Sequence, residues 1–315
     1  MLGLDRFPVD TVFLLAGCGG GYDCFTGLPL YFSLMNRYKN VHMVNLSFSK
    51  HLDKFPRLAI DRCCFVVNST VASQLADERS ENCCEYMLSQ QIQAPVYCFR
   101  DEGLVKYRAS FESLVRTLGA NVVILCDGGC DSIMTGREPE LGTPVEDVMS
   151  MLAVHSLQNQ GLITHALLLL LGATVDTFVE IRRQDFFANL QQLSKDLIET
   201  AKLAKEQPEV QRYIQVFESC EPWRSIVNAS ICASLDGLTG SGVLPPLILK
   251  YPQFNRTLDP DRFLLDDYVR TYYLFSLSPV LSRIVYLDLI EHLDDSDDID
   301  RVIMDFHMQQ HKTEG

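Results

Sequence analysis

Val122-Val123-Ile124-Leu125-Cys126-Asp127-Gly128-Gly129-Cys130-Asp131-Ser132 is the most specific stretch of the sequence. An apolar run leads into Asp127, two glycines permit a sharp change of direction, and Asp131-Ser132 turns back over the strand end. Two carboxylates four positions apart, with a hydroxyl beside them, could hold a hard cation such as Mg²⁺ or orient a ribose hydroxyl. They could also act as a general base. The competing reading is that Asp127 and Asp131 only cap neighbouring backbone N–H groups. Asp176 follows a second apolar run, Thr164–Leu171, and joins the pair if the two strands are neighbours. A plain helix N-cap is its alternative.

A second loop, Ala16-Gly17-Cys18-Gly19-Gly20-Gly21-Tyr22-Asp23, follows the apolar run Thr11–Ala16. Clustered glycines are costly in chain entropy, so they suit a backbone that must turn tightly and approach a ligand. With a helix start behind them, Gly19, Gly20 and Gly21 are expected to cradle phosphate; a tight turn without ligand is the bland reading. Further on, Thr143-Pro144 with Glu146 reads as a capping box, which makes Glu146 structural. Glu138, Glu140 and Asp147 stand as site candidates. Cys130, in a glycine-rich loop that reads as exposed, could serve as a nucleophile with His155. The histidines form no metal pattern, and no Gly-x-Ser-x-Gly elbow occurs.

Such loops need strands to hold them. Thr11–Ala16, Val41–Phe48, Cys64–Asn68, Val96–Phe99, Val122–Cys126 and Thr164–Leu171 read as strands. Phe25–Arg37, Ser80–Ile92, Leu104–Leu118 and Pro144–Leu157 read as the helices between them. Buried strands alternating with helices predict an α/β, Rossmann-like parallel sheet with helices on both faces. From Gln184 the pattern turns helical, with apolar residues at three- and four-residue spacing over Phe186–Lys205. Gly237–Pro246 reads as a loop, Tyr272–Leu277 as a last strand, and Pro279–Leu293 and Ile299–Gln309 as helices. Without repeats or linkers, 1–315 is expected to form one domain, a nucleotide-binding-like core over 1–180 with a helical elaboration over 181–315. The acidic run Glu291–Asp300 lacks the glycine that a calcium loop starting at Asp294 needs, since Ile299 stands there; it reads as a solvated helix junction.

A chain of 315 residues with 47% hydrophobic content can bury a sizeable core. Its formal charge of −14 opposes nucleic acid and anionic membranes as partners. A small anionic ligand is still allowed, because helix N-termini bind anions locally. The start carries no signal-peptide pattern, and Ala166–Leu171 is too short to span a bilayer, so a cytoplasmic protein with reduced cysteines is expected.

Two resemblances extend these readings. Gly19-Gly20-Gly21-Tyr22-Asp23-Cys24-Phe25-Thr26-Gly27-Leu28-Pro29 resembles the first nucleotide-binding loop of the sirtuin and deoxyhypusine-synthase-like NAD/FAD-binding fold. That implies nucleotide or dinucleotide contacts at Gly19–Gly21, Asp23, Thr26 and Gly27. The Asn-Ile-Asp motif and zinc cysteines of sirtuins are absent, so deacylation is not implied. More broadly, the Gly-rich start with Asp23, the Asp127–Ser132 loop, Gly136-Arg137-Glu138, Leu141-Gly142-Thr143-Pro144 with Asp147, and Trp223–Leu235 are similar to the domain-of-unknown-function family 1152. That resemblance implies a shared fold and no particular chemistry.

The expected function is an enzyme, a hydrolase or group transferase, acting on a nucleotide or another phosphorylated small molecule. Phosphate would lie on the glycine loop, with Asp127, Asp131 and Asp176 on ribose or a Mg²⁺-activated water. Gly128, Gly129, Ser132 and Glu140 would complete the ligand contacts. The implied cofactor is Mg²⁺ or an adenine dinucleotide. Hydride transfer is disfavoured, because Asn45-Leu46-Ser47 stands where a dinucleotide fold places its ribose-binding acid. The alternative is a non-catalytic nucleotide sensor or scaffold, its helical half and acidic tail serving a partner or a homo-oligomer.

Overall fold

Strand β1 (Val12–Gly17) sends alternate side chains to opposite faces, Phe13 and Leu15 into one core, Leu14 and Ala16 into another. That is the signature of a strand buried on both sides. In a computed structural model the chain is described at residues 4–58, 61–68, 83–220, 225–251 and 261–312, the side chains of 61–63, 245–246, 311 and 312 apart. Ser69, Thr70, Ser80, Pro222, Trp223 and Asn255 lie outside the described residues.

After β1 come α1 (Asp23–Thr26), α2 (Leu28–Met35), β2 (Asn40–Leu46), β3 (Arg57–Leu58) and β4 (Asp61–Val67). Then follow α3 (Cys84–Ile92), β5 (Val96–Phe99), α4 (Leu104–Leu118), β6 (Val122–Asp127), α5 (Pro144–Asn159) and β7 (His165–Leu170). The remainder comprises α6 (Arg183–Gln192), β8 (Leu197–Lys202), α7 (Pro208–Ser219), α8 (Ile226–Leu235), α9 (Leu244–Lys250) and β9 (Thr271–Ser276). Three helices close it, α10 (Leu277–Leu281), α11 (Leu287–Ile290) and α12 (Ser296–Lys312).

The nine strands form one sheet in the order β3-β4-β5-β2-β1-β6-β7-β9-β8. Its centre, β5-β2-β1-β6-β7, is parallel. Both borders are antiparallel, β3 and β4 at one side and β9 with β8 at the other. The Rossmann-like α/β fold is therefore present, with a mixed sheet where the sequence pattern suggested a parallel one.

Four elements depart from their expected form, one of them the helix expected over Pro279–Leu293, which is divided into α10 and α11. Leu197–Lys202, inside the expected helix Phe186–Lys205, is a strand paired along β9. Its spacing of Leu193, Leu197 and Ala201 suits a helix, but the ladder offered by β9 outweighs that weak preference. The helix expected over Phe25–Arg37 is divided at Gly27, and α9 begins inside the expected loop Gly237–Pro246. Among the described residues, no helix is long and apolar enough to cross a membrane, and ten cysteines are free and buried.

The acidic C-terminal run has a definite structural task. Asp294 accepts from the Leu104 N–H through its carbonyl and from the Val105 N–H through Oδ1, both at 2.7 Å. It thereby satisfies two orphan donors at the start of α4 with a negative group, from 189 residues away. Asp294→Ala is expected to cost about 1 kcal/mol, read as a lower urea midpoint at unchanged slope.

Candidate functional site

β1 and β6 are adjacent and parallel, with Gly17 in register with Cys126. The Cys18 N–H continues the ladder to the Cys126 carbonyl at 2.8 Å. The glycine loop after β1 and the aspartate loop after β6 thus leave the same rim of the sheet side by side. The chain steps from β1 out to β2 and β5, then returns to β6 and β7 on the other side. A ligand crevice forms at such a switch point, outside the carboxyl ends of the strands. Here it is a cleft of about 400 Å³ whose wall includes Gly19, Gly20, Asp23, Asp127, Gly128, Asp131 and Asp176.

Seven carboxylates line this cleft: Asp23, Asp127, Asp131, Glu146, Asp147, Asp176 and Glu180. Among the described residues no Lys, Arg or His lines it. Asp127 and Asp147 are only 2% and 5% exposed. Burial, followed by the charges of Asp131 and Asp176, pushes the Asp127 carboxyl well above the usual carboxylate range. Burial and the charges of Asp131 and Asp127 do the same to Asp147. Asp23 and Asp176 are also pushed well up, again chiefly by burial. Like charges crowded out of water disfavour ionisation, which is the common cause of these upward shifts.

Most of these carboxylates are held in place by local donors. Asp127 Oδ2 accepts from the Ser132 hydroxyl. Asp131 Oδ2 accepts from the Thr143 N–H at 3.2 Å and its hydroxyl at 3.3 Å. Asp176 Oδ2 accepts from the Cys130 N–H at 2.6 Å. Asp147 differs: its Oδ2 is buried and has no hydrogen-bond partner. Asp127, Asp131 and Asp147 each offer one oxygen such that the three lie within 4.8 Å of one another.

The glycines make room for these acids. A Cβ on Gly19, at φ +103°, would stand 2.4 Å from Asp147 Oδ1, and one on Gly129 would stand 2.2 Å from Asp176 Oδ2. The expected phosphate cradle is not formed, because the loop donors are used internally. The Gly19 N–H reaches Ser150 Oγ at 3.4 Å, that of Gly20 reaches Asp23 Oδ2 at 3.0 Å, and that of Gly21 reaches the Leu46 carbonyl at 3.1 Å.

A family model described as a protein of unknown function, DUF1152, matches residues 52–237, more than half of the chain. The chain belongs to this family. No curated protein and no solved structure matches. The matched span contains the Asp127–Ser132 loop, Asp147 and Asp176, whereas the glycine loop of this family 1152 chain lies before it.

Other expected contacts lie away from the cleft wall. Thr26 is fully buried and gives its hydroxyl to the Asp23 carbonyl. Gly27 packs on Cys126, Gly21 on Phe48, and Ser132 acts through Asp127. Glu140 pairs with Arg262 at 2.9 Å and does not line the cleft. Glu138 is a loop staple, accepting from Thr135, Gly136, Arg137 and Asn189. The capping box at Thr143 is not closed, since its hydroxyl turns to Asp131, and Glu146 lines the cleft instead of serving only the helix start. Cys130, expected to be exposed, is buried; burial and then the Asp176 charge push its thiol well up, which opposes a nucleophilic thiolate. His155 instead bonds Asn159. Asn45, at the end of β2, donates to the Gly21 carbonyl and to the Glu85 carboxylate.

Sequence reasoning left four wall residues without a role in the cleft: Phe48, 59% exposed beside Gly20, together with Thr143, Glu146 and Glu180. Asp147, weighed only as one of several acids, lines the cleft and is almost fully buried. Its signal was present: Asp147 and Ser150 are buried polar residues on α5, a helix whose other buried residues are almost all apolar.

Proposed function

We propose that this family 1152 chain is an enzyme, a hydrolase or group transferase, working on a nucleotide-like or other phosphorylated small molecule in the carboxylate cleft. The observation that carries this reading is the convergence of Asp127, Asp131 and Asp176 from two separate strand ends on one open cleft at the switch point. Buried acids that the fold holds against their own repulsion are costly, and they persist where chemistry uses them. Asp127, its carboxyl pushed up by burial and oriented by Ser132, is placed to exchange a proton with a ligand. Phosphate would not rest on the glycine N–H groups, which are occupied; it would enter opposite a cation.

Screening the full chain against nucleoside phosphates, ADP-ribose and NAD, each with divalent ions, by thermal shift tests binding. A ligand at a hundred times its Kd stabilises by about 2.7 kcal/mol. With a turnover assay in hand, Asp127→Asn is expected to lower kcat by about 10²-fold or more while the circular dichroism spectrum stays native. An Asp127→Asn protein that unfolds, or that turns over normally, removes Asp127 from the chemistry.

A further inference from the structure

We propose that Asp127, Asp131 and Asp147 are the protein ligands of a hard divalent cation, with Asp147 the residue that completes the site. The inference deepens the reading of the cleft as a ligand site, and it does not depend on turnover. Three observations support it. The three carboxylates each present an oxygen within a 4.8 Å span. Oxygens on opposite sides of one ion stand twice the metal–oxygen distance apart, about 4.8 Å for Ca²⁺ and about 4.2 Å for Mg²⁺, so this cluster encloses such an ion with little adjustment.

The second observation concerns Asp147 Oδ2. A buried carboxylate oxygen without any donor is expensive unless something absent from the chain satisfies it. The side chain within hydrogen-bond reach of Asp147 is the Asp131 carboxylate, which has no donor of its own when ionised, while Ser150 is engaged with Gly19 and Tyr107 and the Thr143 hydroxyl with Asp131. Third, no basic side chain among the described residues lines the cleft, so its charge is not balanced from within. Ser132 on Asp127 and Thr143 on Asp131 are the outer partners that fix ligand orientation in such sites. An all-oxygen set of this kind selects Mg²⁺, Mn²⁺ or Ca²⁺ over soft metals. A bound cation would also let an anionic ligand enter a cleft that otherwise repels it.

Isothermal titration of the EDTA-treated full chain with MgCl₂, MnCl₂ and CaCl₂ tests the site without any substrate. One equivalent of at least one ion is expected to bind with Kd below about 1 mM. Asp147→Asn and Asp131→Asn are each expected to weaken binding by roughly tenfold or more, whereas Glu180→Gln, on the same wall but outside the cluster, changes it by less than about threefold. Circular dichroism reports whether each variant is folded, and the second ligand variant serves if the first is not. No saturable binding of any of the three ions to wild type, or wild-type affinity retained in both ligand variants, overturns the proposal. If an ion binds and no turnover is ever found, the site stands and the enzymatic reading falls. If turnover is found and none of the three ions binds, the enzymatic reading stands and the cation site falls.

Discussion

Glu138→Ala is expected to lose about 3–5 kcal/mol of stability, a large share of what a domain has to spare. The Glu138 carboxylate is 8% exposed. It receives the N–H groups of Thr135 at 2.9 Å, Gly136 at 2.9 Å and Arg137 at 3.0 Å. The Thr135 hydroxyl at 2.9 Å and Asn189 Nδ2 at 2.6 Å also donate to it. Burial alone would raise its pKa, but these donors, Asn189 foremost, outweigh burial and leave it below the ordinary glutamate value. With a depressed folded pKa, the contribution is present above about pH 4.3 and is lost as pH falls through the folded value. Truncation orphans every donor at once, and the turn that feeds α5 loses its anchor. Urea unfolding at neutral pH measures this as a lower midpoint; a loss under about 1 kcal/mol means the loop is held elsewhere. Glu138→Gln should fall between, because its amide keeps one acceptor and points an extra donor at donors.

Asp147→Asn is expected to act in the opposite direction when ions are removed, raising Tm by on the order of 2–5 °C at about pH 8. Asp23, Asp127, Asp147 and Asp176 all have folded pKa values pushed well up, burial being the leading cause in each. For a raised acid, the contribution to stability is full below the unfolded pKa of about 3.9 and is lost as pH rises through the folded value. Chelated wild type should therefore become less stable as pH rises above the unfolded value, and Asp147→Asn should blunt that decline. Scanning calorimetry in EDTA across this range decides it. A variant that melts earlier than wild type at the upper pH shows that the carboxylate holds the fold together. The proposed role thus has a cost: the residue that completes the cluster is one that the empty cleft would do better without.

Much of the sheet was legible because a strand covered on both faces leaves an unbroken apolar run, as in Val122–Cys126 and Thr164–Leu171. The position of Asp127, Asp131 and Asp176 followed from the same runs, since each lies just beyond one. The antiparallel borders were not legible. Nothing local marks Leu197–Lys202 as a strand, because its partner β9 is supplied by a segment roughly seventy residues later. The glycine loop was located correctly and its task misjudged. Glycines beside a strand read as donors awaiting an anion, and only three dimensions show Asp23, Ser150 and the Leu46 carbonyl already taking those donors. Glu146 and Glu140 failed for a related reason: a helix-start motif and an exposed-looking acid say nothing of the cleft or of Arg262.

The place of β9 governs what can be made of this chain in pieces. It is the ninth strand in sequence, yet it lies between β7 and β8. Any fragment ending before Thr271 leaves the leucine-rich side of β7 (Ala166–Leu170) with open backbone donors and acceptors, an invitation to self-association. The span 52–237 fares worse, for it omits β1 and β2 from the middle of the sheet as well. That span marks where the family's sequences are alike, and its ends are not cutting points. During synthesis, too, the chain must emerge as far as Ser276 before the sheet can close.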